Sequence, residues 1–201
     1  MTTWVEPEGG RERGPVGLLK AFTQVLVNPT TFFDEAVSPG DQAPGLVFAM
    51  AVVLLYEGTR LALDPASALA FPAPTWLAAV LTLALAGLLV APAALHALSA
   101  VETLVLVAVA PDRGGVSETV QVLAYASAPC ALVGVSVPAV TFVCGLWAFA
   151  LLVVGTRIVH NASLPRAVTA ALVPGALAYG SGFGWFAATI ALFPWTASVA
   201  P

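Results

Sequence analysis

Charged side chains are scarce in this sequence. Only 9% of its 201 residues are Asp, Glu, Lys or Arg, whereas 59% are hydrophobic, and the mean hydropathy is +0.94. Soluble globular domains carry about 25% charged residues, so this chain has too few to cover an ordinary water-exposed surface. Several apolar runs approach the roughly 20 residues that cross a bilayer. The composition therefore predicts an integral membrane protein.

Basic residues are few and are not clustered. Lys20 is the single lysine beside six arginines, and the formal net charge is −4. The sequence has neither the basic tail or patch that indicates nucleic-acid binding nor the polybasic segment that indicates strong binding to anionic lipids. We therefore expect the lipid bilayer as the main partner. Another membrane protein or a second copy of the chain is the protein partner to expect.

Cysteine is also rare, and motifs for chemistry are missing. Cys130 and Cys144 lie inside apolar runs, which is typical of small buried hydrophobic side chains. No CxxC or Cys/His spacing indicates a metal site. HExxH, GxSxG, GxGxxG and P-loop patterns are absent from the sequence. The sequence thus predicts no metal, no cofactor and no enzymatic activity.

The chain begins with polar residues and then becomes amphipathic. Residues 1–15 are polar and acidic, which predicts a disordered cytosolic tail and no cleavable signal peptide. Residues 16–37 show helical spacing of apolar side chains, interrupted at Asn28. They predict two short helices on the membrane surface, with Phe32 and Phe33 dipping into lipid. Packing of these helices on the rest of the protein is an alternative that does not exclude this one.

Five apolar segments predict an all-α membrane domain over residues 44–195. The expected spans are 44–63, 76–97 with its helix continuing to 110, 116–135, 138–159 and 167–190. A helix over 76–110 would measure roughly 50 Å against a bilayer core of about 30 Å, so it either projects or is split at Pro92. The third and fourth spans predict an antiparallel hairpin buried in lipid. The fifth contains Pro174 and a Gly180/Gly184 pair, which predicts a kink and a close helix contact.

The distribution of basic residues predicts the topology. Five spans place six basic residues on one side of the membrane and only Arg60 on the other, whereas a split at Pro92 would divide them three to four. The positive-inside rule therefore favours five spans in the cell membrane, with a cytoplasmic N-terminus and an outer C-terminus. The six residues are Arg11, Arg13, Lys20, Arg113, Arg157 and Arg166.

Charged residues near the spans form two candidate sites. Glu57 and Arg60 share a helix face, and they serve either as a structural anchor near the membrane surface or as a buried functional pair. The second group is expected where the second helix meets the fourth, as a packing network or as a proton or ion relay. Its members are His96, Glu102, Arg157 and His160.

A proline in the third span marks a further candidate. Pro129 leaves the carbonyl of Tyr125 without its helical donor and predicts a kink beside the tyrosine hydroxyl. That kink is either a gate or ligand pocket, or a fixed curvature of a packed helix.

Several short motifs follow one another in a fixed order. They are Asn28–Phe33, Gly114–Thr119, Ala124–Pro129, Ser136–Pro138, Trp147, Gly155 and Ser163–Ala167. In this order they resemble the Yip1 family (Yip1/Yif1-like proteins), whose members have five membrane helices and a cytoplasmic N-terminus. Eukaryotic members are linked to vesicle traffic and to Rab-type GTPases through their N-terminal part. This chain has a short tail without the Asp-Leu-Tyr-Gly-Pro motif, so it resembles a prokaryotic-type member, and GTPase binding is not expected.

Two functions remain after these exclusions. The first is a non-enzymatic membrane protein that scaffolds partners or organises and shapes the bilayer. The second is a small transporter or channel that uses Glu57, Arg60 and the kinked helices. A polar cavity connected to Glu57, Arg60 or Tyr125 would favour transport, and a dry core would favour scaffolding.

Overall fold

The computed structural model describes residues 14–194, and the regular elements of that part of the chain are all helical. Four helices, α3 to α6, are long and apolar enough to cross a membrane, and the bent pair α7–α8 makes a fifth span if it is counted as one. This confirms the predicted all-α membrane bundle. The expected tail falls almost wholly outside the described residues. The helices are α1 (Pro15–Val27), α2 (Pro29–Ala36), α3 (Ala43–Leu63), α4 (Thr75–Val109), α5 (Val116–Val135), α6 (Pro138–Val159), α7 (Leu164–Gly182) and α8 (Trp185–Leu192).

Large apolar side chains cover much of the outer surface. Leu88 of α4 is 65% exposed, Val143 of α6 is 59% exposed and Leu172 of α7 is 56% exposed. Soluble monomers rarely expose such contiguous apolar surface. These side chains are suited to contact lipid tails, as expected for a multi-pass membrane protein.

Helix α4 runs without interruption past Pro92. A π-helical segment, Ala86–Val90, lies between its two α-helical parts and ends just before the proline. Proline removes one N–H group and crowds the carbonyl four residues earlier. The wider π turn relieves this crowding and keeps the helix continuous. The 35 residues of α4 therefore extend roughly 50 Å, well beyond a bilayer core of about 30 Å.

Helix α5 lies at the centre of the bundle. In the most apolar 18-residue stretch of α5, 83% of the residues are buried inside the protein. The corresponding stretches are 22% buried in α3 and α4 and 50% buried in α6. The hairpin formed by α5 and α6 was expected to lie in lipid. This expectation was wrong for α5, because other helices surround it. The same stretch of α5 has a mean hydropathy of 1.2, the lowest among the four long spans. A helix enclosed by protein can bury polar side chains such as Gln121.

The second half of α5 tightens where Pro129 interrupts the α-helix. Residues Ala128–Val135 form a 3-10 helix, in which the N–H of Cys130 donates to the carbonyl of Ser127 (2.9 Å). Runs of 3-10 helix longer than three or four residues are uncommon. This one packs closely on α3, because a methyl group added at Gly134 would collide with the Tyr56 carbonyl oxygen. The interruption at Pro129 is thus a fixed feature of a tight helix contact.

The last span is broken rather than merely kinked. Helices α7 and α8 meet at an angle of 71°, and the turn uses Gly184 at φ +77, a conformation that favours glycine. Gly180 faces Phe186 of the following helix. Gly180 thus makes the expected close helix contact, with α8, whereas Gly184 serves the turn. Helix α8 also folds against α6, where the indole N–H of Trp185 donates to the carbonyl of Phe142 (3.0 Å).

Candidate functional site

Helix α2 is anchored in the protein core by two aromatic side chains. Phe32 and Phe33 are 2% and 1% exposed, so the expectation that they dip into lipid was wrong. The ring of Phe32 meets the ring of Tyr125 edge to face at 4.9 Å, and Phe33 fills the space above Gly155. A side chain at Gly155 would collide with that ring. The segment before the first span is therefore fixed to α5 and α6.

Tyr125 is the centre of this aromatic cluster. It is fully buried, and its ring also contacts Phe48 of α3 edge to face at 5.1 Å. Phe22 of α1 stacks on Phe48 at 6.0 Å. Edge-to-face pairs at these distances are favourable beyond the apolar area they bury. The four rings tie α1, α2, α3 and α5 together, so Tyr125 lies in a packed core beside the fixed interruption at Pro129.

Helix α1 lies beside α3, and an apolar groove separates the two helices. The groove between them is lined by Pro15, Leu18 and Phe22 on one side and by residues from Phe48 to Leu55 on the other. Leu55 lies twelve residues after the start of α3, which corresponds to roughly 18 Å along the helix. Helix α1 therefore lies beside the first half of the first span, within one leaflet.

Gln121 fixes the loop between α2 and α3. Its amide nitrogen donates to the carbonyl of Ser38 (2.7 Å), and its amide oxygen accepts the N–H of the same residue (3.1 Å). The hydroxyl of Ser117 accepts the N–H of Gly40 (2.9 Å) in the same loop. A buried amide that satisfies both backbone groups of one residue holds the loop in a single position.

Glu57 and Arg60 form an ion pair at the far end of α3. The guanidinium donates twice to Glu57 Oε2, at 2.9 and 2.6 Å, and a third nitrogen donates to the carbonyl of Ser67 (3.0 Å). The side chains are 16% and 23% exposed. This geometry fits the anchor interpretation, because Arg60 binds the following loop.

An apolar cavity of about 210 Å³ lies beside Glu57. It is bordered by α3, α4, α5 and α7. Among the described residues that line it, only Tyr56, Glu57 and Ser127 carry polar side chains, and the Ser127 hydroxyl donates to the carbonyl of Ala124 (2.6 Å). The cavity is suited to hydrocarbon more than to a hydrated solute.

The expected cluster of four polar residues divides into separate sites. Glu102 is fully buried and accepts a hydrogen bond from the hydroxyl of Thr156 (2.7 Å). His160 is also fully buried, and its Nε2 lies 3.4 Å from the hydroxyl of Thr119. His96 and Arg157 are exposed, and His96 Nδ1 bonds the carbonyl of Pro92 (2.7 Å). The structure thus does not bring these four residues together.

His160 caps the C-terminal end of α6, and one of its ring nitrogens lacks a hydrogen-bond partner among the described residues. Its Nδ1 faces the backbone of Gly114, but no group in residues 14–194 meets it in hydrogen-bonding geometry. Burial lowers the pKa of His160 to about 4, and Arg113 adds to that shift, whereas Glu118 and the weak contact with the Gly114 backbone oppose it. The imidazole is therefore neutral at physiological pH.

We expect stability to fall as the pH is lowered from about 6.5 to about 4. In this window the unfolded chain binds a proton at His160, with an ordinary pKa near 6.5, whereas the folded chain does not. The loss reaches about 3 kcal/mol at the acidic end. Thermal unfolding in detergent at a series of pH values measures it.

Two variants isolate the contribution of His160 to the pH dependence of stability. His160→Gln removes the titrating group and is expected to flatten the pH dependence. His96→Gln, on the exposed histidine, is expected to leave it unchanged. If the Tm of His160→Gln fell with pH as steeply as that of the wild type, the pH dependence would belong to other groups.

Several buried polar residues were not identified from the sequence. Ser99, Thr156 and Tyr179 are each at most 2% exposed and lie near Glu102. The spacing of Ser99 and Glu102, one helical turn apart, was a visible signal. The sequence gives no such signal for Thr156 and Tyr179, because they lie on other helices than Glu102, far from it along the chain.

The comparisons with known proteins agree with the architecture. No curated protein and no solved structure shows significant similarity to this chain. The family model described as Yip1 domain matches residues 23–195, which include helix α2, three of the four rings of the aromatic cluster (Phe32, Phe48 and Tyr125) and all the membrane-spanning segments. Because the match covers most of the sequence, the chain belongs to the Yip1 domain family of multi-pass membrane proteins.

Proposed function

We propose that this protein acts without catalysis, as a membrane-embedded scaffold that organises and shapes the bilayer around it. The observation that carries the proposal is the fixed attachment of α1 and α2. The aromatic cluster ties both helices to the centre of the bundle, while Leu19 remains 64% exposed on α1. A short amphipathic helix held in this way inserts apolar side chains into one leaflet.

The chemistry of the polar residues also supports this role. Glu57 binds Arg60, Glu102 binds Thr156 and Tyr125 lies between aromatic rings. These contacts stabilise the fold. The Yip1 family is not a known family of enzymes. We propose a second copy of the chain or another membrane protein as the partner that such a scaffold would hold.

Reconstitution into liposomes tests the shaping role. We expect the wild-type protein to change the diameter of vesicles relative to empty ones, as measured by electron cryomicroscopy. Leu19→Glu places a charge on the exposed apolar edge of α1 and is expected to lose most of the effect. Gln24→Glu is the matched control, because Gln24 is exposed about 140° away around the same helix. Equal vesicle diameters for empty, wild-type and variant samples would contradict the proposal.

Transport or channel activity is a second candidate, because Glu57 lines the cavity, although the apolar character of the remaining lining favours the scaffold. The cavity volume of about 210 Å³ would accommodate a small apolar solute or part of a hydrocarbon chain. Proteoliposome flux that is lost in Glu57→Gln but retained in Asp64→Asn would favour this function, since Asp64 is an exposed acid after the same helix. Flux that is unaffected by Glu57→Gln would refute the role of the ion pair.

We further propose that the N-terminus faces the cytoplasm and the C-terminus the outside of the cell membrane. The start of α5 and the end of α6 meet at His160, so Arg113 and Arg157 lie at one end of the bundle. Arg60 lies at the other end, on α3. This distribution follows the positive-inside rule. A C-terminal tag accessible only from the cytoplasmic side would refute the assignment.

A further inference from the structure

The cavity beside Glu57 is a cleft that opens sideways between α4 and α7. Val90 of α4 and Leu177 of α7 line it and are 53% and 48% exposed. Leu123 and Ala124 of α5 line the same cleft but are buried. The cleft therefore runs from the surface that contacts lipid tails to the enclosed central helix.

A π-helical segment borders the cleft on each side. Ala86 and Val90 belong to the π segment of α4, and Leu177 and Gly182 belong to the π segment Ala176–Gly182 of α7. Residues 14–194 contain no further π-helical segment. Such segments are rare and are frequent at functional sites. Both places where the described chain departs from the α-helix in this way thus face one cleft.

Two aromatic rings close the cleft at the end beside Glu57. Tyr56 of α3 meets Phe183, which lies at the break between α7 and α8, edge to face at 5.2 Å. Both rings also line a second hollow, which is bordered by Ser136 and Pro138 at the corner between α5 and α6. The two rings thus lie between the hollows, and the cleft is entered from the side.

The cleft lies at the depth of the hydrocarbon core. On α5 its lining falls within residues 123–127, in the middle of Val116–Val135, and on α3 it runs from Ala49 to Glu57, in the middle of Ala43–Leu63. The hydrocarbon core of a bilayer is about 30 Å thick and lies between the headgroup layers. The molecules that reach the mouth of the cleft from the membrane are therefore lipid tails.

The lining favours hydrocarbon over water. The hydroxyl of Ser127 donates to its own helix, and Glu57 is bound by Arg60. A buried water needs two to four polar partners, whereas apolar cavities of about 150 Å³ stay dry and take up apolar molecules. An empty cleft would also deprive its lining of dispersion contacts. A hydrocarbon chain restores these contacts.

We infer that the cleft between α4 and α7 binds the end of one acyl chain of a membrane phospholipid. The cleft is continuous with the lipid-facing surface, which supplies this occupant. The chain enters between Val90 and Leu177 and contacts Leu123 on α5, while its headgroup stays at the membrane surface. This binding site goes beyond the proposed scaffold function and does not depend on it.

Photolabelling from within the bilayer tests the site. The full-length protein is reconstituted into liposomes that contain phosphatidylcholine with a diazirine near the methyl end of one acyl chain. Labelled residues are then identified by mass spectrometry. We expect labels on Leu123 and Ser127 of α5, which are only 3% and 8% exposed, in addition to outer residues such as Leu88. Labels confined to the outer residues would overturn the site.

Two variants that narrow the mouth test the route of entry. Ala94→Phe on α4 and Leu177→Trp on α7 enlarge exposed residues of the lining. Each should lower the labelling of Leu123 and Ser127 by about tenfold, because the added ring and the chain compete for one volume. Ala93→Phe is the matched control and should keep the labels, because Ala93 is exposed on the same helix outside the lining.

The remaining outcomes separate the other possible occupants. Wild-type labelling of α5 in both narrowed variants would overturn the cleft as the route, and either variant alone decides this if the other does not fold. Labelling of α5 by a free fatty acid that carries the diazirine, but not by the phospholipid, would overturn the assigned occupant. Reaction of Ser127→Cys with a water-soluble maleimide would show a hydrated cleft and would also overturn it. The vesicle diameters that test the scaffold are measured separately.

Discussion

Tyr125→Ala is expected to destabilise the protein severely. The ring is fully buried and contacts Phe32 and Phe48 edge to face, so its removal leaves a cavity where α2, α3 and α5 meet. Truncating a buried aromatic residue to alanine costs about 3–5 kcal/mol. For a chain of this length that corresponds to a Tm lower by about 10 °C. Thermal unfolding in detergent measures the change.

Two control variants separate packing from other effects. Trp147→Ala removes an aromatic ring that is 41% exposed on α6, and it should change the Tm much less. Tyr125→Phe keeps the ring and removes the hydroxyl, so it should retain most of the stability. A loss in Tyr125→Phe as large as that in Tyr125→Ala would show that the hydroxyl, and not the ring, carries the contribution. The aromatic cluster would then lose its assigned role as the anchor of α2.

Gly134→Ala is expected to cost about 3 kcal/mol, which would lower the Tm by about 8 °C. The added methyl group would collide with the backbone oxygen of Tyr56 and would lie 2.8 Å from Thr59 Cβ. A flexible side chain could move away, but a backbone carbonyl cannot move without displacing α3. The substitution should therefore push α3 and the 3-10 half of α5 apart. Thermal unfolding of the purified variant in detergent measures the loss.

Gly58→Ala is the matched control for this contact. Gly58 lies on the same helix as Tyr56, and a methyl group there would meet only Leu83 Cδ2, at 4.0 Å. Alanine also has a higher helix propensity than glycine, so the control should be neutral or slightly stabilising. If both variants unfolded at the wild-type temperature, the close approach of α3 and α5 would not be a determinant of stability.

Both substitutions probe the same feature, the enclosed position of α5. Lipid tails are as apolar as the helices they surround, so association in a membrane depends on close packing and on buried hydrogen bonds. Helix α5 uses both, through Gly134 against α3 and Gln121 against the loop before α3. A rigid central helix gives the α1–α2 segment a fixed base, as the proposed membrane-shaping function requires.

Local features could be predicted because neighbouring residues in the chain determine them. The apolar runs identified the membrane helices, and the three-residue spacing of Glu57 and Arg60 indicated their ion pair. The effect of Pro92 was harder to predict, since a proline can either split a helix or be accommodated. The π segment that keeps α4 continuous depends on a small change of backbone geometry that composition does not reveal.

By itself, the sequence determined the membrane class, the approximate spans and the family, because hydropathy and local spacing act within one or two helical turns. Only the tertiary structure decided that α5 is enclosed, that Phe32 and Phe33 point inward and that Glu102 pairs with Thr156, 54 residues away. The physical reason is that lipid and a protein interior are both apolar. A side chain suited to one is suited to the other, and the packing of distant helices determines which of them it meets.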